Sequence, residues 1–296
     1  MRKGVAYTAS FGEQWQRYRR TQLDSVNGTT LTSSRLYTNT GWTPQELAGQ
    51  RILDAGCGAG RFTEILLEAG AEVWAVDASR AVDACAANHG ASARLHVIQA
   101  DLLHLPFRRH GFDKILCYGV LQHTPDPGRT FAALAPLLKP GGAIAIDVYL
   151  RSPWIYRWTA KYWYRWLTKR LPRMMLQRLV SWYVPKATVV DERCRRVPVL
   201  RRLWPALVPL PFNGRTAPAL TPEQRREWAI LDAFDALSAW HDHPQTLRAV
   251  RGWCVEAGLS QIDVRVGGNG ILGNATAPQP RPAAVGIATA MAELIP

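Results

Sequence analysis

The feature that most constrains the fold of this chain is a glycine-rich turn between an apolar strand and a helix. Residues 51–60 read RILDAGCGAG, and a run with helical spacing, RFTEILL, follows over 61–67. A turn of this kind brings backbone N–H groups at a helix N-terminus close to a ligand, and glycine permits the close approach. Dinucleotide-binding proteins use a similar turn, so the residues that follow must decide which ligand it serves.

Strand and helix signals alternate after this turn. Helices are predicted near 61–69, 79–88 and 128–138, between strands at 52–53, 72–76, 95–99, 112–117 and 143–148. Such alternation predicts a mostly parallel sheet with helices on both faces. A further helix over 245–257 precedes two short strands, at 261–266 and 271–276, which predict an antiparallel hairpin that closes the sheet.

The predicted organisation has three parts. Residues 1–50 form a helical N-terminal extension, in which Pro44 opens a helix after Thr43. Residues 51–276 form one catalytic domain with an insert at 151–243, and residues 277–296 form a flexible tail. The apolar content of 47% and the twelve tryptophans favour a folded globular protein.

Composition and sequence indicate in which cellular compartment the protein is expected. No stretch reaches the roughly 18 uncharged apolar residues that a membrane span requires. The N-terminus, MRKGVAY, lacks the apolar run of a secretory signal. The five cysteines are scattered and never in C-x-x-C spacing, which predicts reduced thiols. We therefore expect a soluble, cytoplasmic protein.

Polar or turn residues stand at the end of each predicted parallel strand, namely Asp54 with its glycines, Asp77, Asp101, Gly119 and Asp147. In an open parallel sheet, ligands bind beyond the carboxyl ends of the strands. A nicotinamide cofactor fits this pattern poorly, because the spacing is G-x-G-x-G rather than G-x-G-x-x-G and acidic residues end the first three strands.

Residues 51–148 resemble the class I S-adenosylmethionine-dependent methyltransferases. The resembling stretches, about a third of the chain and in the family's order, are ILDAGCGAG, VWAVDAS, QADLLHLPF, FDKILCYGVLQHTPDP and LLKPGGAIAIDVY. Flanking stretches at 11–15 and 253–264 are similar to a UbiG/Methyltransf_11-type branch. The resemblance implies a Rossmann-like, seven-stranded α/β fold and S-adenosylmethionine as the cofactor.

The resemblance also implies roles for individual residues. Asp77 would accept both ribose hydroxyls, and Asp54 would hold the ammonium group directly or through water. Asp101 would bond the adenine amine, and the Leu102 amide would meet a ring nitrogen. The glycines would shape the loop around the methionine part and leave room beside the sulfonium. The whole predicted cofactor set is Asp54, Gly56, Cys57, Gly58, Gly60, Asp77, Ala78, Asp101, Leu102 and Gly119.

His123 and Asp147 are the candidate catalytic residues. His123 follows the fourth strand and Asp147 ends the fifth, so a His–Asp pair could deprotonate a hydroxyl, with the carboxylate orienting the imidazole. The alternative for His123 is that it only caps the turn or packs on the cofactor. Tyr149, Trp240 and His241 are predicted to bind the substrate, and packing is the alternative for the last two. His241 and His243 flank Asp242, but alternate residues in a loop make a poor metal site, and we predict none.

The net charge of +13 is concentrated in one insert. Residues 151–204 contain 14 of the 36 Lys and Arg, only two acidic residues and six of the twelve tryptophans. Aromatic residues recur at helical spacing from Trp154 to Leu167, with Arg and Lys between them, which predicts a basic amphipathic helix. The interpretations are a substrate-binding lid with a solvated basic face, a peripheral contact with anionic membrane or lipid-like substrate, and nucleic-acid binding. The rest of the chain is nearly neutral, which argues against nucleic-acid binding.

The sequence predicts a methyltransferase that moves a methyl group to oxygen or nitrogen, less readily carbon, of a small-molecule biosynthetic intermediate. The resemblance implies that hydrophobic or ring-bearing molecules are candidate acceptors. The alternatives are an RNA methyltransferase and a non-catalytic protein that binds S-adenosylmethionine. The intact loop at 54–60, with Asp77, Asp101 and His123, argues against the non-catalytic alternative.

Overall fold

The computed structural model describes residues 8–151, 160–194, 196–200 and 219–279. Its first half contains α1 Ala9–Arg17, α2 Asp24–Asn27, α3 Leu31–Thr40, α4 Pro44–Leu47, β1 Arg51–Ala55, α5 Arg61–Glu68, β2 Glu72–Asp77, α6 Ala81–His89, β3 Leu95–Gln99 and β4 Phe112–Tyr118. The second half contains α7 Pro127–Leu134, β5 Leu138–Tyr149, α8 Ala160–Thr168, α9 Arg173–Cys194, α10 Pro222–Ser238, α11 Leu247–Glu256, β6 Ser260–Gly267 and β7 Gly270–Thr276. Short 3-10 turns lie at Leu121–His123 and Ala135–Leu137.

The seven strands form one sheet in the order β3-β2-β1-β4-β5-β7-β6. The first five are parallel, and β7 runs antiparallel to β5 and to β6. The predicted α/β class, the mostly parallel sheet and the C-terminal antiparallel hairpin are confirmed. The strand order reverses between β1 and β4, which is where an open sheet of this kind forms a ligand crevice.

Alternating side chains of the strands make two apolar layers, because successive residues of a strand point to opposite faces. Leu53 and Ile115 belong to the layer covered by α7 and α11, while Ile52 and Leu116 belong to the layer covered by α3 to α5. Both layers are buried, so the strands read as continuous apolar runs rather than as an alternating pattern.

Two element boundaries differ from the prediction by more than two residues. The helix expected near 128–138 ends at Leu134, since Pro136 lacks the amide hydrogen that an α-helix needs to continue. The fifth strand begins at Leu138 rather than near 143, because Leu138 already pairs with Phe112 across a register shift. In the N-terminal extension, Thr43 and Glu46 form a capping box around Pro44, as the helix start there predicts.

The insert contributes helices α8, α9 and α10. A third apolar cluster joins α9 to α10 and to Tyr18 beyond α1. The predicted amphipathic helix is described from residue 160 onward; its first half, from Trp154, lies outside the described residues, as do residues 201–218 and 280–296 of the insert and tail.

Candidate functional site

A cavity lies at the carboxyl ends of β1, β2 and β4. It brings together ten of the sequence-predicted residues: Gly56, Cys57, Gly58, Asp77, Ala78, Asp101, Leu102, Gly119, His123 and Tyr149. The N-terminal helices α1 and α3 add side chains to its wall, and so does α10 of the insert. Residues from four distant parts of the chain therefore face one space.

The glycine loop forms part of this wall with its backbone. Gly56 and Gly58 have φ angles of +86° and +55°, in the left-handed region that favours glycine. A Cβ on Gly56 would lie 2.3 Å from Cγ2 of Val120, and one on Gly58 would lie 3.1 Å from the ring of Trp15. The loop therefore has no room for side chains where it meets the cavity.

Asp77, at the end of β2, is held by the loop beside it. Its Oδ1 accepts hydrogen bonds from the Ser79 amide at 2.8 Å and the Ser79 hydroxyl at 2.7 Å, and its Oδ2 accepts one from the Gly58 amide at 3.2 Å. Burial raises the pKa of Asp77, and these three bonds lower it. A carboxylate has about four acceptor positions, so a position remains for a hydroxyl donor in the cavity.

The neighbouring edges of the cavity come from β3 and β4. Asp101 is fixed by a hydrogen bond from the Leu103 amide to Oδ1 at 3.0 Å, and Leu102 beside it is buried. Gly119 has a φ angle of +74°, and the nearest atom to a Cβ placed on it would be Nδ2 of Asn269 at 3.7 Å. The backbone at Gly119 therefore leaves an open position beside the loop.

Two predicted cofactor residues lie behind the wall instead of on it. Asp54 is buried, and its Oδ2 accepts a hydrogen bond from the Thr63 hydroxyl at 2.7 Å. Burial raises the pKa of Asp54 to about 6, against the lowering effect of Thr63. A Cβ on Gly60 would lie 2.7 Å from the ring of His89, so Gly60 lets the loop pack against α6.

His123 is buried in the cavity wall between two aromatic rings. The rings of Phe11 and Tyr149 lie with their centroids 5.2 and 5.5 Å from that of His123. Nδ1 of His123 lies 3.0 Å from the backbone carbonyl of His241. Because a carbonyl can only accept, Nδ1 carries the proton and Nε2 of the neutral ring carries the lone pair.

No hydrogen bond of the described residues joins His123 to Asp147, the pair predicted above. Asp147 is fully buried, and Oδ2 forms an ion pair with Nη2 of Arg35 at 2.5 Å. The backbone amide of Asn269, in the β6–β7 turn, donates to both carboxylate oxygens at 3.1 and 3.2 Å. The hydrogen bonds of Asp147 thus go to Arg35 and Asn269, and the ring of His123 is oriented by a carbonyl instead.

Sequence reasoning missed two arginines of the cavity wall, Arg35 and Arg61. Arg61 donates to Oε1 of Gln22 and to the Thr32 hydroxyl, each at 3.0 Å. Burial lowers the pKa of Arg61 to about 9, and the charge of Arg35 adds to the effect. The two guanidinium groups make this end of the cavity suited to an anionic group. Arg61 directly follows the glycine loop, which is a usable signal, whereas Arg35 has none.

Helix α10 supplies a further part of the wall through Trp228, Leu231, Asp232 and Asp235. Burial and the charge of Asp235 raise the pKa of Asp232 to about 7, while Arg61 and Arg35 lower it. Sequence reasoning did not single out Asp232 and Asp235 as residues of the site.

Several buried polar atoms of the wall have no hydrogen-bond partner among the described residues. They include Oε1 of Gln14, Nε of Arg35 and the hydroxyl of Tyr118. Buried polar groups normally find partners, and an unpaired one costs about 1–3 kcal/mol. The cavity is therefore suited to a polar ligand that completes these bonds.

Two predicted substrate residues, Trp240 and His241, do not line the cavity with their side chains. Trp240 is half exposed and lies over Nζ of Lys169 at 5.2 Å, and His241 reaches the site through its backbone carbonyl. The rings of His241 and His243 stack at 5.4 Å. Within the described part of the chain, no group of three or more His, Cys, Asp or Glu side chains is placed to hold a metal.

Comparison with known proteins gives matches centred on this site. Residues 53–146 match a family model described as a methyltransferase domain. A protein of Synechococcus without an assigned function is 44% identical over 116 residues, which are 37% of this chain and 28% of that protein. The ubiquinone biosynthesis O-methyltransferase of Xanthomonas oryzae is 35% identical over 111 residues, which are 36% of this chain and 46% of that protein. The chain thus spans less than half the length of these relatives.

Solved structures extend the likeness to most of the chain. An O-methyltransferase family protein from Burkholderia thailandensis has a TM-score of 0.52 and 13% identity, over 89% of this chain and 60% of that one. A chain from the complex between the Haloferax volcanii Trm112 methyltransferase activator and a methyltransferase has a TM-score of 0.51 and 13% identity, over 91% and 98%. At such low identity these matches establish the fold alone.

Proposed function

We propose that this chain, which carries a class I S-adenosylmethionine-dependent methyltransferase domain, transfers a methyl group to oxygen or nitrogen, and less readily carbon, of a small-molecule acceptor. The observation that carries the proposal is the shared cavity. The glycine loop, Asp77, Asp101 and Gly119 face the same space as His123 and Tyr149. A cofactor surface and an acceptor surface are therefore adjacent, as group transfer requires.

The cofactor supplies an electrophilic methyl group on a sulfonium. Asp77 would accept a hydrogen bond from a ribose hydroxyl at its remaining acceptor position, and Asp101 with Leu102 would hold the adenine. Arg35 and Arg61 place positive charge beside the glycine loop, where the methionine carboxylate fits. Asp54 lies behind the loop and acts on the ammonium through water rather than by direct contact. The unpaired atoms of Gln14 and Tyr118 support this assignment, since a polar cofactor gives them partners.

At the acceptor end, His123 is the proposed base. Its Nδ1–H donates to the carbonyl of His241, which leaves Nε2 free of the proton and able to accept one from an acceptor hydroxyl or ammonium. Tyr149 packs edge-on against the imidazole and walls the acceptor, as does α10 through Leu231. Positioning of donor and acceptor supplies most of the rate, for which about 7–11 kcal/mol is available, while a base contributes about 10²–10⁴-fold.

Hydroxyl-bearing, ring-containing acceptors are supported by the named relative, a ubiquinone biosynthesis O-methyltransferase that matches over a third of the chain. Two alternatives remain distinct in their chemistry. An RNA methyltransferase would bind RNA in a salt-sensitive manner through the basic insert. A non-catalytic protein would bind S-adenosylmethionine without releasing its methyl group to any acceptor.

Calorimetric titration with S-adenosylmethionine, S-adenosylhomocysteine and NAD tests the cofactor site first. We expect micromolar binding of the first two and none of NAD. Asp77→Ala should weaken binding at least about tenfold, because the buried carboxylate is the hydroxyl acceptor. Asp83→Ala, an exposed acid on neighbouring α6, is the matched control and should leave affinity unchanged. Unchanged affinity in Asp77→Ala would show that the cofactor binds elsewhere.

Methyl release to a panel of phenols and amines tests the transfer. Once an acceptor is found, His123→Ala should lower kcat by about 10²–10⁴-fold at neutral pH while leaving S-adenosylmethionine affinity intact. A normal rate in this variant would remove His123 as the base. Cofactor binding without transfer to any phenol, amine or RNA would favour the non-catalytic alternative.

A further inference from the structure

Helix α9 has two apolar faces, and one of them is left exposed by the described residues. Its inner face packs on α10 through Leu176, Val180, Val184 and Ala187. On its outer face the exposed apolar side chains are Met174, Met175, Leu179, Trp182, Val189 and Val190. A helix that packs against a globular protein usually presents polar residues outward, so the outer face needs a partner.

Helix α8 continues this exposed surface. Its inner side is held to α10, because Arg165 donates to the carbonyls of Ala236 and Ala239 at 2.8 and 2.7 Å. Its outward side chains are Trp163, Tyr164, Trp166 and Leu167. Trp166 is 64% exposed and Trp182, on α9, is 62% exposed. The outward side chains of both helices are called the α8–α9 face below.

The charge of the α8–α9 face is strongly positive. Residues 160–194 contain eight Lys and Arg, and their acidic residues are Asp191, which is buried, and Glu192. Lys161 and Arg165 are neutralised by Asp242 on the inner side. On the outer side the exposed cations are Arg170, Arg173, Arg178, Lys186 and Arg193, of which Arg173 pairs with Glu13. No carboxylate of the described residues pairs with the other four.

We propose that the α8–α9 face docks on the surface of an anionic lipid bilayer. Exposed tryptophans enter the headgroup region, aliphatic side chains reach the acyl boundary and the cations meet anionic headgroups. Within the described residues no helix has the length and apolarity to cross a membrane. The contact is therefore interfacial, with the helices lying along the surface.

The chemistry of the face favours lipid over RNA. RNA-binding surfaces stack bases on aromatic rings, but six of the exposed apolar side chains of the face are Met, Leu or Val, which cannot stack: Leu167, Met174, Met175, Leu179, Val189 and Val190. The ring of Trp182 also has Nζ of Lys186 at 3.8 Å from its centroid. A cation beside an exposed indole suits the membrane interface, where the ring lies in the apolar layer and the ammonium reaches a phosphate.

On α9, the α8–α9 face lies on the side opposite α10. Helix α10 lies between α9 and the cavity, which it lines with its other side. Docking is therefore independent of methyl transfer, and the proposal stands whether or not an acceptor is found. It would place α10 and the cavity close to the bilayer surface, where amphiphilic molecules concentrate.

Sedimentation with vesicles tests the proposal on the full chain. We expect binding to vesicles of phosphatidylcholine with phosphatidylglycerol, and little to phosphatidylcholine alone. Arg178→Gln with Lys186→Gln should weaken binding about thirtyfold, since each cation near an anionic surface contributes about 1 kcal/mol and 1.4 kcal/mol is tenfold. This loss should disappear at high salt, where the wild-type protein also binds weakly.

A second pair of changes, Trp166→Ser with Trp182→Ser, removes apolar contact without changing charge and should cost at least about tenfold at any salt concentration. Arg251→Gln with Val255→Ser on the exposed side of α11 is the matched control and should bind normally. Circular dichroism and thermal midpoints verify that each variant is folded, independently of any activity.

Three outcomes would overturn the proposal. Failure of the wild-type protein to bind anionic vesicles would mean that another part of this chain or a protein covers the face. Equal binding of wild-type and tryptophan variants would mean that only bulk charge acts. Tighter binding to single-stranded RNA than to vesicles, lost in the same variants, would assign the face to nucleic acid.

Discussion

The buried ion pair between Arg35 and Asp147 gives the sharpest test of how the site is assembled. The carboxylate of Asp147 is fully buried, and the side chain of Arg35 is 22% exposed. Removing one member of a buried pair typically costs about 3–5 kcal/mol, because the other charge is left uncompensated. The Asn269 amide still donates to Asp147, so we expect Arg35→Met to lower the free energy of unfolding by about 3 kcal/mol.

The pH dependence of this loss has a defined sign. Burial already raises the pKa of Asp147, and Arg35 is the main influence that lowers it. Without Arg35 the folded-state pKa rises further above that of the unfolded chain, so the folded variant holds its proton to higher pH. Stability is therefore lost as pH rises through that window. The deficit of Arg35→Met relative to wild type should grow between pH 5 and pH 8.

Denaturant unfolding of four proteins measures the coupling: wild type, Arg35→Met, Asp147→Asn and the double variant. The double variant should be more stable than Arg35→Met at pH 8, because no buried charge is left unpaired. Arg35→Lys, which keeps the positive charge, is the matched control and should lose less than Arg35→Met. A deficit below about 1 kcal/mol, or one that does not change with pH, would refute the reasoning.

Three further predictions concern groups around the cavity. Asp232→Asn should stabilise the unliganded protein by about 2–4 kcal/mol at pH 8 and have little effect below pH 4, because a pKa of about 7 makes the ionised carboxyl costly when buried. Unfolding measured as a function of pH checks this prediction, and a stability difference that does not change with pH would contradict it. Thr63→Val should destabilise by about 1–3 kcal/mol and raise the pKa of Asp54 above about 6, because the hydroxyl donor to a buried carboxylate is lost; carboxyl titration by NMR measures the shift. Gly58→Ala should weaken S-adenosylmethionine binding in calorimetry at least about tenfold, because the new methyl group would lie 3.1 Å from Trp15 and the φ angle of +55° favours glycine. Unaltered affinity would show that the loop does not touch the cofactor.

Much of the sheet could be predicted from the sequence because its signals are local. Each parallel strand is a short apolar run followed directly by a turn residue, and the loop at 54–60 needs glycine for its backbone angles. The early start of the fifth strand at Leu138 arose from a tertiary contact, its pairing with Phe112, whereas the helix end at Leu134 follows from Pro136, a local signal that the prediction placed inside the helix. The fold is thus encoded in periodicity, while the ends of its elements depend on neighbours in space.

The site was less predictable because a large part of its wall comes from remote segments. Arg35 meets Asp147 across 112 positions in sequence, and His123 meets the carbonyl of His241 across 118. A strand-end rule places Asp147 next to His123, but it contains no information about which cation the N-terminal helices bring to that carboxylate. A backbone carbonyl, which every residue carries, gives no sequence signal at all.

The proposed base, His123, has the carbonyl of His241 as its hydrogen-bond partner instead of the predicted Asp147, and this changes what it can do. A carboxylate beside an imidazole stabilises the imidazolium that forms when the ring takes a proton, whereas a neutral carbonyl orients the ring with much less charge stabilisation. A proton taken up by His123 therefore has a carbonyl, and no carboxylate, as the partner of Nδ1. Acceptors that lose a proton readily, such as phenols and the ammonium forms of weakly basic amines, suit this arrangement better than aliphatic alcohols. The acidic wall of α10 acts in the same direction for amines, because Asp232 and Asp235 attract the protonated form to a site where His123 can take its proton.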